Sequence, residues 1–178
     1  LDIDPTQGAL AHESPEVVAD YLELMEKRVI PNAKKLLECS RSLGVEVIHV
    51  RIQSLTQDGR DRSVSHKRLG LHVPPGSKLA EFIPDVTPVG DELILNKTSS
   101  DAFHSTRLAQ LLRNMEKTQV IFCGVFSHER VSSTVRSACD LGLEAHVVRD
   151  ACAAITERQH HEAIDGLHGR YARAIQTE

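Results

Sequence analysis

Three positions of this sequence carry side chains that could do chemistry together: Asp4, Lys97 and Arg130. Arg130 follows an apolar run, 120–123, which predicts a buried strand, and it opens a helical pattern. At the start of such a helix, unpaired backbone N–H groups and the helix dipole stabilise negative charge, so a cysteine thiolate would gain from this position. The context therefore favours a cysteine, but an arginine cannot act as a nucleophile. Covalent catalysis by this chain depends on that one position.

Asp4 ends one predicted strand, and Lys97 follows another. Because the carboxyl ends of parallel strands meet at one edge of a sheet, we expect the carboxylate, the ammonium and the helix N-terminus to converge. Asp4 could relay a proton, while Lys97 could hold Asp4 and stabilise developing negative charge. Backbone N–H groups near residues 126 and 130 could form an oxyanion hole. Without further support, such an aspartate is more often a cap or an ion-pair partner, and a lysine is usually solvated.

Strand and helix patterns alternate along the chain. Strands are predicted at 1–4, 45–51, 92–96, 120–124, 143–148 and 172–177, and helices at 15–28, 31–43, 105–115, 129–141 and 157–170. This alternation is typical of an α/β protein and predicts a three-layer, Rossmann-like parallel sheet with helices on both faces. Segment 53–76 is polar and irregular, and we expect it to form part of a pocket wall. No linker interrupts the pattern, so we expect one domain over residues 1–178.

Composition excludes several classes of function. The 178 residues carry a net charge of −4, so nothing favours binding to nucleic acid or to an anionic membrane. No apolar run approaches the roughly 18 residues that a membrane-spanning helix needs. Four cysteines occur without a CxxC pair, which favours reduced thiols in a cytoplasmic protein. The chain opens on Leu1 inside a predicted strand, and we expect further residues before it in the native protein.

Several short motifs follow one another in an order that is specific although each alone is weak. They are Ile3-Asp4 followed by Gln7; Pro75-Gly76-Ser77; Asn96-Lys97 with Asp101-Ala102-Phe103 and Leu108; Gly124-Val125; Val131 with Thr134; and Asp150-Ala151-Cys152-Ala153. In these motifs the chain resembles the isochorismatase-like hydrolases, also called cysteine hydrolases, over nearly its whole length. The resemblance implies a parallel sheet with helices on both faces, a small-molecule substrate and a homo-oligomer.

The resemblance also assigns roles to individual residues. It places the family's catalytic aspartate and lysine at Asp4 and Lys97, its nucleophilic cysteine at Arg130, and a non-proline cis peptide at Val125–Phe126. The expected substrate-binding residues lie around these positions: Phe126, Ser127, His128, Phe103 and Gln7. Nicotinamidase-like relatives hold a metal after the second strand, but Arg51-Ile52-Gln53-Ser54 offers no such ligands. We therefore predict no metal and no cofactor.

The sequence departs from the family pattern at two places. The loop Asp4-Pro5-Thr6-Gln7 is one residue longer than usual between the aspartate and the glutamine, and Arg130 replaces the thiol. A minority branch, the true isochorismatases, also lacks the cysteine and hydrolyses a vinyl ether by protonation from the aspartate. Its motif is similar to 124–128 here, although it has a small residue at position 130. The context of Glu129, Val131 and Thr134 is more similar to the thiol-bearing members.

These observations leave three interpretations of Arg130. It could pair with Asp4 and close the site, it could bind a carboxylate of an anionic substrate in a two-pronged contact, or it could turn out to solvent. The second interpretation makes the protein a thiol-independent hydrolase that uses Asp4 and Lys97. The first makes it a catalytically silent family member that serves as a binding or oligomerisation module.

Overall fold

The computed structural model describes residues 8–177, so the predicted strand at 1–4, with Asp4, and the neighbouring Gln7 lie outside the described residues. Five strands are present in this range: β1 Ile48–Ile52, β2 Leu93–Lys97, β3 Gln119–Val125, β4 Glu144–Ala153 and β5 Arg173–Ile175. Seven α-helices accompany them: α1 Pro15–Leu24, α2 Ile30–Ser42, α3 Val64–Arg68, α4 Ala102–Ser105, α5 Leu108–Asn114, α6 Ser132–Asp140 and α7 Glu157–Leu167. Short 3₁₀ turns lie at Gly8–His12, Lys78–Ala80 and Pro84–Val86.

All strand pairings in this part of the chain are parallel. β1 pairs with β2, and a second sheet has the order β3-β4-β5. Each connection between neighbouring parallel strands passes through at least one helix, as such crossovers require. The parallel strands with their connecting helices confirm the predicted α/β class.

The helical segment before β1 is continuous, whereas the sequence predicts two helices, 15–28 and 31–43. A π-helical turn, Met25–Val29, joins α1 to α2 without a break. Pro31 lies in the first turn of α2, where a residue without a backbone N–H is tolerated. Separate helices were therefore a wrong prediction, because the wider turn absorbs the proline instead of ending the helix.

Glycines follow the ends of two helices. After α2, Gly44 has a φ of 66°, and Val45 N–H donates to the carbonyl of Ser40 at 2.9 Å. Gly142 has a φ of 83° after α6, and the next residue donates in the same way to a carbonyl near the helix end. This left-handed residue is the usual way to satisfy the last carbonyls of a helix, and glycine adopts it without steric cost.

Among the described residues, the core consists of three apolar clusters. The largest joins α6, α7 and β4 through buried side chains such as Val135, Val147 and Leu167. A second joins the α1–α2 segment to Phe126 and Ala153, and the third packs α5 against strands of both sheets. The clusters fix the strand ends relative to the helices that follow them.

Two details differ from the sequence prediction. The run 120–123 is not buried throughout, because side chains alternate across a strand and Ile121 is 47% exposed while Val120 packs against α5. The segment 53–76 contains α3, whose start is capped by the hydroxyl of Ser63. The cap was a usable signal in the sequence, since serine is a preferred residue before a helix.

Candidate active site

Lys97 is the last residue of β2 and is buried, with 6% exposure. It lies opposite Ile52 in the parallel register, so both residues mark the carboxyl edge of their sheet. Its Nζ donates to the carbonyl of Ser100 at 2.5 Å. The backbone of the following turn therefore orients the ammonium, which is not solvated as an isolated lysine would be.

Arg130 lies in a π-helical turn, Ser127–Val131, between β3 and α6. Its side chain is buried, with 4% exposure, which contradicts the interpretation that it turns out to solvent. The guanidinium carbon lies 5.0 Å from the centre of the Phe126 ring, and Nη1 lies 3.4 Å from a carboxylate oxygen of Glu129. Cation–π and ionic contacts thus hold the planar group at the end of β3.

The three residues after β3 occupy different environments. Phe126 is fully buried and packs edge-on against Tyr21, with ring centres 5.5 Å apart. Ser127 is also fully buried, and its hydroxyl shares a 3.0 Å hydrogen bond with Nδ1 of His160. His128 is half-buried, and burial lowers the pKa of its imidazole. Contact of these three residues with a substrate stays a prediction.

The peptide bond between Val125 and Phe126 is cis. This confirms the position that the family resemblance assigned to a non-proline cis peptide.

Two hydroxyl groups of α6 tie Arg130 to the turn beyond Lys97. Thr134 Oγ1 donates to the carbonyl of Arg130 at 2.8 Å and accepts from the N–H of Ala102 at 3.2 Å. Ser137 Oγ donates to Asp101 at 2.5 Å. The ends of β2 and β3 belong to different sheets in the described part of the chain, and these contacts link the segments that follow them.

The surroundings of Lys97 shift its pKa. Burial and then the positive charge of Arg130 lower the pKa of Lys97 to about 7, against the opposing effects of Asp101 and Glu129. Lys97 is therefore partly neutral near pH 7, and a bound anion would raise its pKa. A lysine in this state is typical of functional sites.

His66, on α3, belongs to the same centre although the sequence gave no reason to include it. Its imidazole is 1% exposed, and burial together with the charges of Arg130, Lys97 and Arg62 lowers its pKa to about 4. It is therefore neutral at ordinary pH. His66 lies on α3, inside the segment 53–76 that the sequence predicts as irregular. The apolar pattern of the sequence therefore did not indicate that the side chain of His66 is buried.

The structure thus brings together Lys97 and Arg130, with Phe126 beneath the guanidinium. Phe103 is half-buried between two core clusters, and its N–H donates to Asp101 at 2.8 Å. Sequence reasoning missed two residues that position the centre, Asp101 and Thr134, and it noted them only as parts of family motifs. The signal of Asp101 was local, since an aspartate directly before a helical segment is a favoured cap.

Within residues 8–177, no three or more His, Cys, Asp or Glu side chains lie together as metal ligands would. A search of the same residues finds no helix with the length and apolar character to span a membrane.

Comparison with known proteins identifies the family. Residues 22–178 match the isochorismatase domain. The uncharacterised isochorismatase family protein YddQ of Bacillus subtilis is 30% identical over 181 residues, covering 96% of this chain and 88% of the relative. The chain belongs to the isochorismatase family.

Two further matches give the range of the similarity. The isochorismatase of Bacillus subtilis is 27% identical over 147 residues, covering 83% of this chain and 47% of that enzyme, so the chain spans about half of its length. The crystal structure of an isochorismatase family protein from Desulfovibrio vulgaris superposes with a TM-score of 0.77 at 25% identity, covering 84% of this chain and 80% of that one.

Proposed function

We propose that this protein is a thiol-independent hydrolase of a small anionic substrate, an isochorismate-type vinyl ether. The observation that carries the proposal is a buried arginine beside a buried lysine, at the position where the family's thiol would stand. Arginine cannot form a covalent acyl intermediate, so acid catalysis is the route that the remaining groups support. The similarity to an enzyme named isochorismatase supports the same substrate type.

Acid catalysis of vinyl ether hydrolysis needs one proton donor and one water molecule. Asp4 donates a proton to the terminal carbon of the double bond, which leaves a cation shared by the adjacent carbon and the ether oxygen. Water adds to that carbon, and the resulting hemiketal loses the alcohol as its carbon–oxygen bond breaks to form a ketone. The carboxylate of Asp4 takes back a proton from the water, which restores the acid.

The two cations have separate tasks in this proposal. Arg130 binds the carboxylate of the substrate through its two-pronged guanidinium, because such pairs combine charge with fixed geometry. Lys97 holds Asp4 in place and stabilises negative charge on it after proton transfer. Before substrate binds, Lys97 is partly neutral near pH 7. Binding of an anionic substrate raises the pKa of Lys97, so the amine takes up a proton and becomes fully charged.

The test is hydrolysis of isochorismate by the wild type, Asp4→Asn and Arg130→Cys, followed by chromatography. A panel of small amides is tested in parallel. Turnover of isochorismate that Asp4→Asn abolishes would support the proposal. Failure of the wild type to consume isochorismate would overturn it for this substrate.

One observation favours a second candidate, a catalytically silent family member that acts as a binding or oligomerisation module. Arg130 is buried and packed on Phe126, and a side chain held in this way could fill the space that a substrate needs. In that case only Arg130→Cys would turn over an amide, because removal of the arginine would reopen a competent site. The same experiment therefore separates the two candidates.

A further inference from the structure

The imidazole of His66 is buried and has no hydrogen-bonding partner among the residues that the structure describes. It is 1% exposed, and neither Nδ1 nor Nε2 has a hydrogen bond to any residue that the structure describes. Buried polar side chains nearly always have a partner, because a buried donor or acceptor that has none has lost its hydration without compensation. Two such atoms on one ring indicate that a polar group beyond the described residues completes the site, and a bound ligand is one such group.

The backbone around His66 is anchored on both sides, which fixes where the residue lies. The N–H of Ser63 donates to the carbonyl of Thr98 at 2.9 Å, which joins the start of α3 to the residue after Lys97. Ser63 Oγ accepts from the N–H of His66 at 3.2 Å, and the carbonyl of His66 accepts from Leu71. The ring is therefore held at the end of β2 by hydrogen bonds that do not use its own nitrogens.

His66 supplies a function that its charged neighbours lack. Charged lysine and arginine can only donate hydrogen bonds, whereas a neutral imidazole offers one donor and one acceptor. The positive charges of Arg130, Lys97 and Arg62 keep the ring neutral by lowering its pKa, in addition to burial. Among these four side chains, His66 is the one that can accept a hydrogen bond from a ligand while the others carry positive charge.

We propose that His66 is a specificity-determining residue that binds a hydroxyl group of the substrate, while Arg130 binds its carboxylate. A hydroxyl group is both donor and acceptor, and it therefore matches a neutral imidazole better than a second carboxylate does. The substrate class that follows is a small hydroxylated carboxylic acid. This inference rests on the proposed function, since it takes the carboxylate site at Arg130 as given.

The experiment uses isothermal titration calorimetry with benzoate and with 2-, 3- and 4-hydroxybenzoate as probes. Wild type should bind at least one hydroxybenzoate about tenfold more tightly than benzoate. His66→Leu should lose this preference while it still binds benzoate, and His66→Gln should restore part of it because an amide can donate and accept. The exposed His161→Leu is the matched control and should keep the wild-type preference.

A second measurement excludes a purely structural role. Because His66→Leu removes two buried polar atoms that lack partners, its melting temperature at pH 7.5 should equal or exceed that of the wild type. A merely structural histidine would lower both stability and affinity for all four probes. If His66→Leu keeps the hydroxyl preference, or if the wild type binds benzoate with no such preference, the role of His66 is overturned while the anion site stands. If the wild type binds none of the probes, both proposals fail.

Discussion

The positive charge of the Arg130 guanidinium lowers the pKa of Lys97. In the described part of the chain, Lys97 ends a strand of one sheet and Arg130 follows a strand of the other. Burial and the positive charge of Arg130 bring the pKa of Lys97 to about 7. The hydroxyl of Thr134 links the segments that follow the two strands, because it contacts both the carbonyl of Arg130 and the N–H of Ala102. A bound anion would therefore stabilise the charged form of Lys97 beside Arg130.

Anion binding should depend on pH through Lys97. A bound anion stabilises the charged lysine and raises its pKa above about 7, so affinity is highest below pH 7 and falls as pH rises through the window between the free and the bound pKa. Within that window the loss approaches about tenfold per pH unit, since one proton is taken up with the ligand. Calorimetric titration of benzoate from pH 6 to 9, in two buffers of different ionisation enthalpy, measures affinity and proton uptake.

Lys97→Met is the control for this pH dependence. It should bind benzoate more weakly at pH 6, and its affinity should change little up to pH 9. If the wild-type affinity stays constant over the same pH range, Lys97 does not take up a proton when the anion binds.

Affinity for benzoate should fall when Arg130 is replaced, even by a residue that keeps the positive charge. A hydrogen bond to a charged group contributes roughly 1.5–3 kcal/mol, so Arg130→Met should weaken benzoate binding by about 10- to 100-fold. Arg130→Lys should also lose affinity, because an ammonium cannot form the two parallel contacts of a guanidinium. Arg158→Lys, on the exposed face of α7, is the matched control and should bind like the wild type. Unchanged affinity in Arg130→Met would favour the catalytically silent interpretation.

The sequence predicted the parts of the fold that depend on local periodicity. The α/β class agrees with the structure, and so does the cis peptide at Val125–Phe126, which the family resemblance rather than periodicity had assigned. The continuous helix across Pro31 was missed, because a π-helical turn depends on how the helix packs rather than on the spacing of apolar residues.

For the candidate site, the sequence identified the strand-end residues but not the residues that bring them together. Lys97 and Arg130 carried a signal because each follows a predicted strand. His66 and Thr134 carried none, since their roles come from contacts across 31 or more positions of sequence, as between Thr134 and Ala102. Contacts of this kind depend on how sheets and helices pack, which no local pattern records.

Core packing around α7 should dominate stability. Leu167 is fully buried among side chains of α6 and β4, so Leu167→Ala should lower the free energy of unfolding by about 2–5 kcal/mol through lost burial and a cavity. Leu43→Ala makes the same change at a position that is 72% exposed, and it should alter stability by no more than about 0.5 kcal/mol. Chemical denaturation of both variants measures the difference. Similar losses in the two would contradict the placement of Leu167 in the core.

Stability should fall in mild acid because two buried histidines resist protonation. Burial is the largest cause that lowers the pKa of both His66 and His160 to about 4, from an ordinary value of 6.5. Since these folded-state values are depressed, the stabilising contribution is fully present above pH 6.5 and is lost as pH falls toward 4. The unfolded chain binds protons first in that window, so each histidine contributes a slope of about 1.4 kcal/mol per pH unit.

Urea unfolding at pH 7.5, 6, 5 and 4.5 measures this loss, and His66→Leu isolates one contribution. The variant should lose stability less steeply than the wild type between pH 6 and 4.5, while His12→Leu, at an exposed position of the 3₁₀ turn Gly8–His12, should follow the wild-type curve. Equal slopes in the wild type and His66→Leu would mean that the imidazole of His66 reaches solvent and accepts a proton in the folded protein. That result would also remove the basis for a neutral acceptor at the end of β2.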